Sequence, residues 1–150
     1  FKNIINRGNN MLEQTQKLKV IFTKTQNNTI DSIIENIKKA GVDKKITVLE
    51  GDALEILPTL KEPYDMIFID ASKGKYPRFL EHAIRLSKVG TIILADNILY
   101  KGYVMGEYNK HKQRTAVRNL REYIKLVTEN PMLETKILEV GDGLAVTKVK

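Results

Sequence analysis

Cysteine is absent from this sequence of 150 residues. Without thiols the chain has no disulfide framework and no thiolate zinc site, so a reducing, cytoplasmic setting is the default expectation. Long apolar runs are missing as well. No stretch approaches the roughly 20 apolar residues of a membrane span, and the N-terminus has no signal-peptide core. We therefore expect a cytoplasmic protein without a membrane partner.

Acidic residues are outnumbered: 18 Asp and Glu stand against 25 Lys and Arg, which leaves a net charge of +7. Such a surplus favours contact with polyanions, RNA included, although many basic proteins bind no nucleic acid. Histidine is rare, and His82 and His111 are lone residues expected to face solvent. The length and a hydrophobic content of 42% fit one ordinary globular domain over residues 1–150.

The chain is organised around an apolar run that ends on a carboxylate. Residues 66–69 are apolar without interruption, and Asp70 follows. An unbroken run of this length predicts a strand covered on both faces, inside a parallel sheet flanked by helices. A second run, residues 91–95, ends in the same way on Asp96 and Asn97.

The carboxyl ends of parallel strands meet at one edge of a sheet, where ligands bind in open α/β folds. We therefore expect Asp70, Asp96 and Asn97 to lie together, and their oxygens suit a hard cation such as Mg²⁺ or Ca²⁺. The alternative is that an Asp after a strand only caps the next helix. Lys73, three residues beyond Asp70, favours the functional interpretation.

The remaining elements alternate in type along the chain. The patterns predict strands at 19–23, 46–49, 135–140 and 144–149, and helices near 28–40, 52–60, 77–87 and 110–128. The short turn Gly141-Asp142-Gly143 requires an antiparallel hairpin. The expected fold is α/β, a Rossmann-like, doubly wound and mostly parallel sheet that ends in this hairpin.

Three further features each allow two interpretations. Asp52, with Glu55 three residues later, has a capping-box pattern, and its place after a strand also keeps a ligand role open. The loop at 98–106 could close over a substrate or simply connect two elements. Arg114, Arg118 and Arg121 recur at helical spacing, which is typical of a solvated face and also of a surface that follows phosphates.

Six segments, taken together, resemble the cation-dependent class I O-methyltransferases, which include catechol and caffeoyl-coenzyme A O-methyltransferases. The order and spacing look most similar to the bacterial branch that methylates 5-hydroxyuridine at the tRNA wobble position. The segments are Glu35 to Gly41, Glu50 to Leu54, Phe68 to Gly74, Ala95 to Leu99, Arg114 to Arg118 and Gly141 to Ala145. The family-like part of the chain is thus 28–150.

The resemblance implies a role for each matching residue. It implies metal ligation by Asp70, Asp96 and Asn97, general-base action by Lys73, binding of S-adenosylmethionine by Asp52, Ala53 and Asp70, and RNA contact by Arg114, Arg118 and Arg121. The implied cation is Mg²⁺ or another divalent ion. The implied substrate is tRNA or a small catechol-like diol, and the implied assembly is a homodimer.

The chemistry agrees with these roles. A hydroxyl is a poor nucleophile at neutral pH, and bound Mg²⁺ stabilises its alkoxide and orients it. A cation disfavours the ammonium form of a neighbouring lysine, which could then accept the proton. The sulfonium methyl is already activated, so the protein mainly positions the reactants.

The first 18 residues depart from the family pattern. Gly8 is the only glycine before Gly41, so the glycine-rich turn for the cofactor is missing. A strand remnant at Met11-Leu12-Glu13 would lie too close to the next strand for a parallel crossover. Lys24 stands where the family has an acid for the cofactor's ribose, and lysine cannot accept those hydrogen bonds.

We therefore expect a methyltransferase fold that is incomplete at its N-terminus, with either a partner segment in the gap or a sheet rearranged around residues 1–18. The chain would be a fragment, a decayed gene product or a protein that has lost cofactor binding. Two functions stay open: an O-methyltransferase, and a non-catalytic RNA-binding module with a methyltransferase-like fold.

Overall fold

A computed structural model describes residues 18–22, 27–61, 63–106 and 113–150. The chain divides into two compact units, the first ending at Ile56 and the second running from Leu57 to Lys150. The described elements of the first unit are β1 (Leu18–Phe22), α1 (Asn27–Lys39), β2 (Ile46–Glu50) and α2 (Ala53–Ile56). Those of the second are a 3-10 turn (Leu57–Thr59), β3 (Tyr64–Ile69), a second 3-10 turn (Lys73–Lys75), α3 (Tyr76–Arg85), β4 (Ser87–Asp96), α4 (Arg114–Glu129), β5 (Leu133–Leu138) and β6 (Leu144–Val149).

The first unit is a small β-α-β arrangement. β1 and β2 pair in parallel, from Leu18 beside Ile46 to Phe22 beside Glu50. α1 connects them, as parallel pairing requires. The helix ends at the predicted position, because Lys38 and Lys39 fill its last turn and Gly41 adopts a φ of +66°.

The second unit contains a four-stranded sheet in the order β3-β4-β6-β5. β3 and β4 are parallel, whereas β6 runs antiparallel to both β4 and β5. The predicted α/β class and the predicted closing hairpin are therefore confirmed. Among the described residues the strands form two sheets, and the expected strand remnant at Met11-Leu12-Glu13 lies outside those residues.

The expectation that β3 is covered on both faces is wrong. Met66 and Phe68 are each 57% exposed, whereas Ile69 is buried. Successive side chains of a strand point to opposite faces, so Met66 and Phe68 share one face. Within the described part of the chain, β3 pairs only with β4 and is an edge strand. The apolar run predicted the strand correctly but not the cover on its second face.

Helices α3 and α4 pack together over an aromatic cluster. The ring of Tyr76 contacts Phe79 and Tyr123 edge to face, with centroids 6.5 and 5.5 Å apart. Burial of each such side chain contributes roughly 1.5–3 kcal/mol to the free energy of unfolding. The side of α4 that packs inward carries the buried residues Val117, Leu120, Tyr123 and Val127.

Several boundaries differ from the predictions; β5, for example, spans Leu133–Leu138 and not 135–140. β4 begins at Ser87, not near Thr91, and its pairing with β3 shifts register before Ile92. Gly90 permits this irregularity with a φ of +91°. α4 begins at Arg114, and the predicted start at Lys110 lies outside the described residues. No described helix combines the length and the apolar character needed to cross a membrane.

Candidate active site

The site lies at the carboxyl ends of β3 and β4. Ile69 and Ala95 are partners in the parallel register, so Asp70 and Asp96 follow them at adjacent positions. Asn97 follows immediately, with a φ of +54°. This left-handed conformation is one that asparagine adopts more readily than most residues.

The side chain of Lys73 brings these residues together. Its Nζ lies 3.1 Å from Oδ1 of Asp70, 3.1 Å from Oδ1 of Asn97 and 3.2 Å from the carbonyl oxygen of Asp96. The Lys73 side chain is only 15% exposed. The ammonium therefore joins the ends of two strands from a half-buried position.

The hydroxyl of Tyr76 also belongs to this cluster. It lies 2.7 Å from Nζ of Lys73, 2.9 Å from the carbonyl oxygen of Asp96 and 3.3 Å from that of Ile69. A hydroxyl has one hydrogen, so Tyr76 donates to a carbonyl and accepts from Lys73. The residue is fully buried.

The electrostatics keep this hydroxyl protonated. Burial raises the pKa of the Tyr76 phenol well above its usual value, and the negative charges of Asp70 and Asp96 raise it further. Tyr76 therefore remains a hydrogen-bond donor across the neutral pH range.

The carboxylate of Asp96 has a local partner. Its Oδ1 accepts a hydrogen bond of 2.7 Å from the backbone N–H of Asn97. Among the described residues no three His, Cys, Asp or Glu side chains converge on one point. The candidate metal ligands at the strand ends are the Asp70 carboxylate, the Asn97 amide oxygen and oxygens of Asp96. An all-oxygen set fits a hard divalent cation.

The loop after Asn97 is fastened to the β5–β6 turn. The N–H groups of Ile98 and Leu99 donate to the carbonyls of Gly143 and Asp142, each at 3.0 Å. The N–H of Lys101 donates to the Asp142 carboxylate. The turn that connects β5 and β6 therefore helps to place Asn97.

Helix α4 holds the same loop from the other side. The Arg121 guanidinium donates to the carbonyls of Val104 at 3.0 Å, of Tyr103 at 3.3 Å and of Gly106. Two residues earlier in the same helix, the Asn119 amide donates to the carbonyl of Gly74. Helix α4 thus supports both the loop that follows Asn97 and the turn that carries Lys73.

The predicted RNA-binding arginines do not all face the same partners. All three are exposed, and Arg121 also donates to backbone carbonyls of the loop. A cavity of about 380 Å³ beside this face is lined by Arg114, Thr115, Val117, Arg118 and Arg121. Arg121 therefore combines an exposed position with a structural role.

Asp52 and Ala53 lie in the first unit. The Asp52 carboxylate accepts a hydrogen bond of 2.9 Å from the N–H of Leu54, which confirms its capping role at the start of α2. Ala53 is buried. Their binding of a cofactor stays a prediction, and Lys24 lies outside the described residues.

Sequence reasoning did not identify Tyr76 or Asn119 as site residues. Tyr76 stands three residues after Lys73, at the start of a helix, so their side chains fall on one side of the turn. That spacing was the available signal. Asn119 gave no signal, because its partner is a backbone carbonyl distant in the sequence.

Comparisons with known proteins agree with this architecture. The family model for O-methyltransferases matches residues 9–150. A catechol O-methyltransferase from Niastella koreensis is 38% identical over 125 residues, covering 77% of this chain and 55% of the relative. A caffeoyl-CoA O-methyltransferase from Medicago sativa is 37% identical over 122 residues, covering 75% and 49%.

Solved structures with a similar fold also include O-methyltransferases. An O-methyltransferase from Bacillus cereus, solved in complex with SAH, superposes with a TM-score of 0.78 and 28% identity, covering 89% of this chain and 63% of that one. The chain spans about half the length of the curated relatives it matches. The family model covers most of the chain and these relatives are 37% and 38% identical to it, so the chain belongs to the O-methyltransferase family.

Proposed function

We propose that this chain is the catalytic part of an S-adenosylmethionine-dependent O-methyltransferase that uses a divalent cation, Mg²⁺, to methylate a hydroxyl of a small catechol-like diol. The observation that carries the proposal is the convergence at the strand ends: oxygens of Asp70 and Asn97 lie 3.1 Å from one cationic nitrogen. The names of the catechol and caffeoyl-CoA relatives support the choice of substrate.

The cation would be held by Asp70, Asp96 and Asn97. When bound there, it supplies stabilisation of a deprotonated hydroxyl. Lys73 is the residue we expect to take the hydroxyl proton, because its flexible stem lets the nitrogen leave the proposed ligands and still reach a hydroxyl bound beside them. Tyr76 positions Lys73 and touches neither substrate nor methyl group in this proposal.

The methyl donor would bind through Asp52, Ala53 and Asp70. The SAH in the Bacillus cereus relative supports this cofactor. Its sulfonium already activates the methyl group, so the task of the protein is to align the hydroxyl with that carbon. Titration calorimetry with S-adenosylmethionine tests this part, and no heat at millimolar cofactor would remove the enzyme proposal for this chain.

A matched pair of variants tests the cation site. Asp70→Asn keeps the side-chain shape but removes the charge, and we expect Mg²⁺ affinity and methyl transfer to catechol to fall at least ~10-fold. Asp65→Asn makes the same change at the start of β3, where the carboxylate is exposed and pairs with Lys88. Asp65→Asn should leave both quantities unchanged, and equal losses in the two variants would refute the role of Asp70.

Wobble 5-hydroxyuridine in tRNA is the second candidate substrate. The net charge of +7 and the exposed Arg114 and Arg118 favour it. A tRNA substrate predicts affinity that falls steeply with salt and is weakened by Arg118→Ala. Asp70→Asn should abolish transfer yet leave tRNA affinity intact. Binding of tRNA without any methyl transfer would instead identify the chain as a non-catalytic RNA-binding module.

The proposal also includes a cellular compartment and an oligomeric state. The absence of cysteine favours a reducing, cytoplasmic setting, and family resemblance favours a homodimer. Light scattering on the purified chain, at several concentrations, measures its mass in solution. A monomer at every concentration would refute the dimer and leave the cation site untouched.

A further inference from the structure

We infer that the Lys73 ammonium and the divalent cation compete for the same oxygens, so that the cation binds only as the ammonium withdraws. The inference rests on the function proposed above, because it concerns the same site. Without metal, the Lys73 ammonium occupies the oxygens that would bind the cation. The ease of its withdrawal then determines the affinity of the site for the cation.

The contacts of Lys73 are those of a bound cation. Its Nζ has four oxygen neighbours within 3.2 Å, whereas an ammonium has three hydrogens to donate. The nitrogen is thus saturated. An ordinary surface ion pair in this unit looks different: the side chains of Lys88 and Asp65 are 54% and 84% exposed, against 15% for that of Lys73.

The shared oxygens bring the two charges too close for joint binding. Nζ of Lys73 lies 3.1 Å from the Asp70 and Asn97 oxygens. Mg²⁺ or Ca²⁺ on those oxygens would lie at about 2.0–2.6 Å from them, so the two cations would be within roughly 6 Å of each other. Like charges at that separation repel strongly in a half-buried site.

Tyr76 sets how firmly the ammonium is held. Its hydroxyl accepts from Lys73 at 2.7 Å and is anchored on the Asp96 carbonyl at 2.9 Å. The lysine stem has four rotatable carbons and can carry the nitrogen away from the oxygens. Tyr76 therefore acts as a positioning residue, and loss of its hydroxyl should ease the withdrawal of the ammonium.

The test measures cation binding directly. The chain is freed of divalent ions with a chelator and titrated with Ca²⁺ and with Mg²⁺ by calorimetry at fixed pH and ionic strength. Lys73→Met removes the competing charge, and we expect a dissociation constant lowered at least ~10-fold. Lys75→Met removes an equal charge from the same turn. It should change the constant less than ~2-fold, since screened charge alone has a small effect.

A second readout follows folding. In chelator, Lys73→Met should melt at a lower temperature than wild type, because the Asp70 carboxylate loses its counter-charge. Added Ca²⁺ should raise the melting temperature of the variant and so remove the difference. Tyr76→Phe should tighten Ca²⁺ binding by a smaller factor, about 2-fold to 5-fold. It keeps the ring, so it supplies the test if Lys73→Met does not fold.

The outcomes separate this inference from the proposed function. Unchanged or weaker Ca²⁺ binding in Lys73→Met, with wild type still binding, overturns the competition and leaves the cation site standing. Equal tightening in Lys73→Met and Lys75→Met overturns it as well, because the effect would then be general charge. No binding in any variant refutes the cation site itself, and the inference with it.

Discussion

The hydroxyl of Tyr76 lies 2.7 Å from Nζ of Lys73. The same hydroxyl contacts the last carbonyl oxygens of β3 and β4, those of Ile69 and Asp96. A single buried group therefore links the ends of both strands to the proposed general base. Because Tyr76 is the first residue of α3, the start of this helix and the geometry of the site depend on each other.

Two buried tyrosines with different hydroxyl environments give the first prediction. Tyr76→Phe removes bonds to Lys73 and Asp96, and should lower the free energy of unfolding by about 1–3 kcal/mol. Tyr123 has a buried hydroxyl without a hydrogen-bond partner among the described residues. Tyr123→Phe should therefore be neutral or stabilising. Urea denaturation of both variants measures the contrast, and a loss at Tyr123 as large as that at Tyr76 would contradict it.

The second prediction concerns Tyr123 and the pH dependence of the free energy of unfolding under alkaline conditions. Burial raises the pKa of Tyr123 above its usual 10.0, so the folded state keeps the proton longer than the unfolded state. The stability it contributes is fully present below pH 10 and is lost as the pH rises through the folded pKa. The slope for one such group is about 1.4 kcal/mol per pH unit.

Tyr123→Phe removes that contribution, so its free energy of unfolding should fall less steeply above pH 10 than that of wild type. Tyr76 changes stability in the same direction and remains in both proteins. Urea denaturation between pH 9 and 11 gives the two slopes. Identical slopes would show that the Tyr123 phenol titrates alike in both states.

The strand ends were predictable because local pattern decides them. Two apolar runs stop on polar residues, and a helix between them makes the strands parallel, so Asp70, Asp96 and Asn97 had to emerge at one edge. The position of the Lys73 nitrogen was not predictable. It depends on a 3-10 turn and on carbonyl acceptors that every sequence contains alike.

Two features that the sequence could not decide have a common physical origin. The apolar run of β3 reports the character of its side chains, but the exposure of Met66 and Phe68 depends on which elements lie beside the strand. The arginine stripe likewise gives the face of α4 correctly. It cannot tell that Arg121 donates to backbone carbonyls of a loop whereas Arg118 donates to its neighbour Asn119.

The turn between β5 and β6 provides a third prediction. Gly141 and Gly143 both have positive φ, +60° and +86°, so alanine at either position costs about 1–2 kcal/mol of backbone strain. A Cβ at Gly143 would also come within 2.9 Å of Cδ1 of Leu99, whereas a Cβ at Gly141 meets nothing within 4 Å. Gly143→Ala should therefore cost at least ~1 kcal/mol more than Gly141→Ala.

Denaturation measures that difference, and Ca²⁺ titration extends it to the site. The carbonyl of Gly143 accepts from the N–H of Ile98, next to Asn97, so displacement of the turn should also weaken cation binding. Gly141→Ala controls for the strain of a positive φ alone. Equal losses of stability in the two variants would show that the close approach to Leu99 is unimportant.

The loop that follows Asn97 gives the last prediction, which compares two exposed arginines, one of which donates hydrogen bonds to this loop. Arg121→Ala removes the donor to the carbonyls of Tyr103, Val104 and Gly106. Hydrogen bonds from a charged donor contribute about 1.5–3 kcal/mol each, so losing them should raise amide exchange in the loop on the order of 10-fold or more. Hydrogen exchange followed by mass spectrometry reads this at the amides of Val104 and Met105.

Arg118→Ala is the matched control, because it removes the same charge one turn earlier on α4 from an exposed position. It should leave the loop amides unchanged and act only on anion binding. If tRNA binds this face, Arg118→Ala lowers both its affinity and the salt dependence of that affinity. Unchanged exchange in Arg121→Ala would mean that the β5–β6 turn alone holds the loop, and the whole arginine stripe would then be free to contact phosphate.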